Sequence, residues 1–148
     1  MSTVIDIAEA VKAELNAPDG PADGDPPAAL AAERLYRPRF ELTDMGVLHV
    51  TVVPKGLELT AAGRGLAQDD VQIDVAVQKK LATTEAGEID ALMALVERIG
   101  DFLRQRRLAG APDAAWVRTE NVPVYSVEHL GELRQFTSVL TVTYRVMR

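Results

Sequence analysis

Residues 135–146 read Gln-Phe-Thr-Ser-Val-Leu-Thr-Val-Thr-Tyr-Arg-Val. Phe136, Leu140, Val142, Tyr144 and Val146 recur on one side, interrupted only by Ser138. Thr137, Val139, Thr141, Thr143 and Arg145 recur on the other. A period of two built from β-branched and aromatic residues predicts a long, regular β-strand with one apolar face. Its backbone groups need partners, so further strands must lie beside it.

The upstream sequence supplies candidates. Val71, Ile73, Val75 and Val77 alternate with Gln72, Asp74 and Ala76, which predicts a strand over Val71–Val77. Tyr36, Pro38, Phe40 and Leu42 alternate with Arg37, Arg39 and Glu41 over Glu33–Leu42. Pro38 cannot donate to a ladder, so that strand belongs at an edge or a bulge. Thr43–Gly46 reads as a turn into Val47–Val53, the second arm of a hairpin, which Pro54 ends. Ala115–Glu120 reads as a short strand with Trp116, Arg118 and Glu120 on one side.

Helical spacing appears twice at length. Val4, Ile7, Ala8, Val11 and Leu15 predict an amphipathic helix over Thr3–Asn16, stopped before Pro18. Ile89, Leu92, Met93, Val96, Ile99 and Leu103 predict a second over Glu85–Arg107. Its acids stand at the start, and Arg104, Arg106 and Arg107 stand at the end. Both placements suit the helix dipole, which is preferred here to a nucleic-acid patch. Gly110 and Pro112 read as its stop. Ser126 is placed to cap one or two helical turns through Val127–Leu133. The order is helix, three strands, helix, two strands. It predicts one domain over 1–148 of the α+β class, a mainly antiparallel β-sheet with helices packed on one face.

Composition narrows the function classes. The chain has 148 residues, 47% hydrophobic and 26% charged, as in a globular protein with one sizeable core. Its net charge of −6 argues against broad gripping of nucleic acid, because phosphate neutralisation supplies most non-specific affinity. It has no Cys, which removes disulfide and thiolate chemistry and fits a reducing compartment. No stretch approaches the roughly 20 apolar residues of a membrane helix. The first residues carry an acid and no basic segment, unlike a signal peptide.

Two connections stand out. Residues 17–32 hold Pro18, Pro21, Pro26 and Pro27 among Gly and Asp, and read as a mobile surface insertion, with a docking arm as the other reading. Residues 55–70 read as a long loop carrying Leu57, Leu59 and Leu66. Those leucines either pack beneath the loop or contact a neighbouring subunit.

Candidates for chemistry are few. His49 and His129 lack metal-ligand spacing. Gly63-Arg64-Gly65 lacks the Lys and Ser/Thr of a phosphate loop. Asp69, Asp70 and Asp74 form the densest acidic group outside the Pro-rich loop, and a small metal-dependent enzyme is the remote reading they allow. No catalytic residue, cofactor site or metal site is assigned.

The run Glu128–Val146 resembles a stretch found in small proteins encoded among phage structural genes. The early helix, Tyr36-Arg37-Pro38, the Leu48–Pro54 strand, Asp70–Lys80 with its Gln-Lys-Lys end, and Glu88-Ile89-Asp90 follow in the same order. The arrangement resembles the tail-terminator and neck-completion proteins of long-tailed bacteriophages. The resemblance implies a non-catalytic α+β subunit of the virion, assembled in the host cytoplasm. Such subunits form a ring, usually a hexamer, that caps the tail tube and receives the head-completion or connector protein. Genome DNA passes through the lumen, and no membrane is involved. The Pro18–Pro27 loop is longer and more acidic than the family pattern.

On that reading Leu57, Leu59, Arg64, Asp69 and Asp70 are expected at the subunit interface, and Thr137, Thr141, Thr143 and Arg145 on a face toward the channel or a neighbour. The other readings are a monomeric head-side connector, a tail-assembly adaptor, or the metal-dependent enzyme.

Overall fold

A computed structural model of the chain describes residues 3–17, 32–36, 48–81, 86–122 and 124–147. The elements are α1 (Thr3–Leu15), β1 (Glu33–Arg34), β2 (His49–Gly63), β3 (Leu66–Lys80), α2 (Ala86–Leu103), β4 (Ala115–Glu120), α3 (Val127–Leu133) and β5 (Gln135–Met147). Among the described residues the strands form one sheet in the order β1-β2-β3-β5-β4. All neighbours are antiparallel except β1 and β2. The fold is α+β, as the alternation predicts.

The two clearest period-two runs lie side by side at its centre. β3 and β5 pair from Gln68↔Met147 to Lys80↔Gln135. That register puts Val71 beside Tyr144, Ile73 beside Val142 and Val75 beside Leu140. These side chains are buried beneath the helices. Each contributes roughly 1.5–3 kcal/mol on burial, more than the ~1–2 kcal/mol that fixing one residue's backbone costs. α1 covers β2 and β3 with Ile7, Ala8, Val11 and Leu15. α2 lies on β5 through Leu92, Leu95, Val96, Ile99 and Leu103. α3 sits where β5 begins, and its N-cap Ser126 accepts from the backbone N–H of His129.

The predicted hairpin of 33–42 with 47–53 is corrected where it is described. Glu33 and Arg34 run parallel to Thr51 and Val52, so this contact is not a hairpin. The direction is set by α1. The Asn16 side chain holds both the N–H and the carbonyl of Ala32, and Glu9 binds Arg34. The chain therefore re-enters the sheet pinned to the end of α1. Residues 37–47, with the predicted Thr43–Gly46 turn, lie outside the described residues. So does the Pro-rich segment, apart from Ala17 and Ala32.

The predicted loop 55–70 is also corrected. β2 and β3 continue as one antiparallel ribbon through it, from His49↔Gln78 to Gly63↔Leu66. Pro54 does not end β2, because the strand bulges by one residue between Pro54 and Gly56 and then resumes. Only Arg64 and Gly65 turn the chain, with Gly65 at φ 75°. That left-handed position favours glycine.

α2 ends at Leu103, the last residue of its apolar stripe, short of the predicted Arg107. Gln105 adopts φ 57° two residues after Leu103, and Arg106 N–H closes onto the Leu103 carbonyl. The helix stops there, ahead of Gly110.

Candidate functional site

The face of the sheet opposite α1 and α2 is polar and built by alternation. The residues between the buried positions of β3 and β5 pair as Asp70↔Arg145, Gln72↔Thr143, Asp74↔Thr141 and Gln78↔Thr137. Arg145 donates from Nε to Asp70 Oδ1 at 2.9 Å and from Nη2 to Oδ2 at 3.2 Å. This guanidinium holds the Asp70 carboxyl below its usual range, against the opposing effect of burial. Asp70 in turn raises Arg145. Thr141 donates to Asp74 at 2.7 Å, and the Lys55 ammonium lies 3.8 Å from the same carboxylate oxygen. Glu58, Asp70, Gln72, Arg118, Thr143 and Arg145 line a shallow depression of ≈ 230 Å³ on this face.

The residues expected at an interface separate into two groups. Leu57 and Leu59 are 50% and 67% exposed, and Arg64 is exposed at the turn. Asp69 is instead 4% exposed, on the helix side of the sheet beside Val146. Asp70 is committed to Arg145. The residues expected to face a channel are likewise divided. Thr137 is buried, its hydroxyl 2.9 Å from His129 Nδ1 and 2.9 Å from Gln135 Nε2. Thr143 is buried, whereas Thr141 and Arg145 are half-buried in the ion-pair network. The Thr-rich face is therefore not uniformly open in the single chain. Its partly accessible positions are Asp70, Gln72 and Asp74 on β3 and Thr141 and Arg145 on β5.

The three aspartates do not converge. Strand alternation sends Asp69 to the helix side, and Asp70 and Asp74 to the other, each with a basic partner. Among the described residues no group of three or more His, Cys, Asp or Glu is arranged to hold a metal ion.

The roles of four residues escaped the sequence reading. Lys55 joins the network only because of the bulge after Pro54. Arg118 and Glu120 were expected on the side of Trp116. A second bulge, at Val117, separates them. Trp116 faces the helix side opposite Tyr144 and donates to Thr119 at 2.9 Å. Arg118 aligns with Thr143 and Glu120 with Thr141, on the polar face. Arg106, read as a helix-terminal charge, lies over the Phe102 ring at 4.0 Å and donates to Glu14 at 2.8 Å.

Among the described residues no helix is long and apolar enough to cross a membrane. Against known proteins, no family model and no curated sequence matches the chain.

Proposed function

We propose that the protein is a non-catalytic structural subunit of a virion, akin to the tail terminators of long-tailed phages. Six copies form a ring that caps the tail tube and meets the head-completion or connector protein. Genome DNA crosses its lumen. The observation that carries this reading is the outer part of the β2–β3 ribbon. Residues 57–67 are all exposed, and Leu57, Leu59 and Leu66 sit on a hydrogen-bonded arm rather than a slack loop. An apolar set held on a paired arm suits a partner surface. The net charge of −6 suits a lumen that DNA crosses without being held. The sheet class and the order of elements fit the same family.

Mass in solution, with and without tail tubes, tests the proposal. A mass near six subunits and annular particles by electron microscopy are expected. Leu57→Asp combined with Leu59→Asp should leave the fold intact and abolish the ring. A wild-type chain that stays monomeric in both conditions sinks the ring.

A second reading, a monomeric neck or tail-assembly adaptor, is favoured by the outer edge of β2, which among the described residues is unpaired from Val53 to Gly63 and suits capture of an extended segment from another protein. It requires one-subunit mass together with retained binding to a neck or tail protein.

A further inference from the structure

The sheet has two unequal edges. Among the described residues β1 covers β2 at Thr51 and Val52, with Leu35 N–H reaching the Val52 carbonyl at 3.0 Å. Among the described residues no strand pairs with the outer side of β2 from Val53 to Gly63. None pairs with the outer side of β4. A long unpaired edge templates addition of another strand unless it is blunted. Pro54 and the bulge at Lys55 blunt the start of the β2 edge, and the register shifts again between Ala61 and Gly63, which leaves Gly56–Ala61 regular enough to accept one.

We infer that this edge of β2 docks the β4 edge of a second copy, so that the sheet continues from subunit to subunit. The inference rests on the ring reading and supplies its contact.

Three features select a second copy as the occupant. The first is direction. β2 and β5 run one way, and β3 and β4 the other. Rotation about an axis along the strands therefore brings β4 antiparallel to the next copy's β2, the better-bonded arrangement. It also makes a heterologous contact that closes into a ring.

The second is level. Reading across the ladders, Ala115 aligns with Arg145, Asp70 and Glu58, and Trp116 with Tyr144, Val71 and Leu57. Arg118 aligns with Thr143, Gln72 and Gly56. β4 thus lies at the height where β2, among the described residues, has no outer partner, immediately beyond the stretch that β1 covers. Without stagger, Trp116 of one copy meets Leu57 of the next on the helix side. A stagger of two residues, as strand tilt in a closed cylinder demands, preserves the faces.

The third is charge. On the polar face the β2 edge presents Lys55 and Glu58, and the β4 edge presents Arg118 and Glu120. The antiparallel alignment brings Arg118 diagonally to Glu58 and Glu120 diagonally to Lys55. Both contacts join opposite signs within reach of long side chains.

The chain has no cysteine, so an engineered pair reports this contact without background. Within one subunit β2 and β4 are three strand spacings apart, roughly 14 Å, too far for a disulfide. Glu58→Cys with Ala115→Cys, in the full chain under mild oxidation, should give a ladder of covalent oligomers on a non-reducing gel. Each single variant should stay monomeric on that gel. A reciprocal charge test covers a cysteine pair that misfolds or is out of register. Glu58→Arg alone and Arg118→Glu alone should each lose assembly while circular dichroism is unchanged. Their equimolar mixture should regain it, since alternating copies restore opposite charges at every contact.

A wild-type ring that survives both charge variants, with no covalent ladder, overturns the edge contact and leaves the ring reading standing. Covalent dimers from Glu58→Cys alone also overturn it, because like edges then meet. A wild-type chain that never assembles, even with tail tubes, removes the ring reading and this contact together.

Discussion

Arg145 and Asp70 face each other across the β3–β5 ladder, joined by two hydrogen bonds of 2.9 and 3.2 Å. One was expected to face a channel and the other a subunit interface. Their pairing makes them parts of one polar surface, with the Gln68 carboxamide within 3.4 Å of the carboxylate.

The pair carries a pH dependence of definite sign. Asp70 has a lowered folded-state pKa, with the Arg145 hydrogen bond as the largest cause. Its contribution is therefore present above the unfolded value, near 3.8, and is lost as pH falls through the folded value. Asp70→Asn should lower Tm at neutral pH by roughly 1–3 °C, a small effect because the pair is partly exposed. Thermal melts from pH 7 down to about 2 should show the variant and wild-type curves converging at the acid end. A constant gap across that range would contradict this origin.

Glu14 ties the end of α1 to the segment after α2. Its carboxylate accepts from Arg106 Nε at 2.8 Å and from the backbone N–H of Ala109 at 2.9 Å. Glu14→Ala leaves that N–H and a partly buried guanidinium without their acceptor. The expected loss is about 2–3 kcal/mol, measured by chemical denaturation. A change under 0.5 kcal/mol, the size of an ordinary surface effect, would mean the bridge is not formed.

Tyr144 is fully buried, and among the described residues its hydroxyl has no hydrogen-bond partner. Burial, with a smaller effect from the Glu14 charge, raises its pKa. Tyr144→Phe keeps the ring against the core and removes the stranded polar atom. It should stabilise the protein by about 1 kcal/mol, read as a higher denaturant midpoint at unchanged m-value. A destabilised variant would show that the hydroxyl is satisfied in solution.

Gln105 ends α2 in a left-handed conformation that costs a side-chain-bearing residue about 1 kcal/mol. Gln105→Gly should raise stability by roughly 0.5–1 kcal/mol, because glycine adopts this φ without a Cβ clash. Ala94→Gly, at an exposed position in the middle of α2, should instead lower stability by about 1 kcal/mol. Two measurements of opposite sign thus check where the helix stops.

The legible parts of the molecule were the local ones. The alternation of Val71–Val77 and of Phe136–Val146 assigned both central strands and their buried faces, because burial selects side chains two residues apart. Helical spacing located α1 and α2, overrunning the end of α2 by four residues, and Ser126 marked the start of α3. The composite polar face was legible only in part. Alternation assigned Thr141, Arg145 and Asp74 to it, but not the register that sets Asp74 against Thr141 and Asp70 against Arg145.

The sequence by itself determined the α+β class, the core faces and the net acidity. Those follow from periodicity, capping and composition, which act within a few residues. Tertiary structure alone decided that β2 runs on through Pro54, that β1 lies parallel, and that the Val117 bulge turns Arg118 and Glu120 away from Trp116. It alone set Asp70 against Arg145 and left Leu57 and Leu59 in solvent. Bulges, strand direction and register are set by hydrogen bonds to a distant strand, and no local pattern of side chains records where that partner stands.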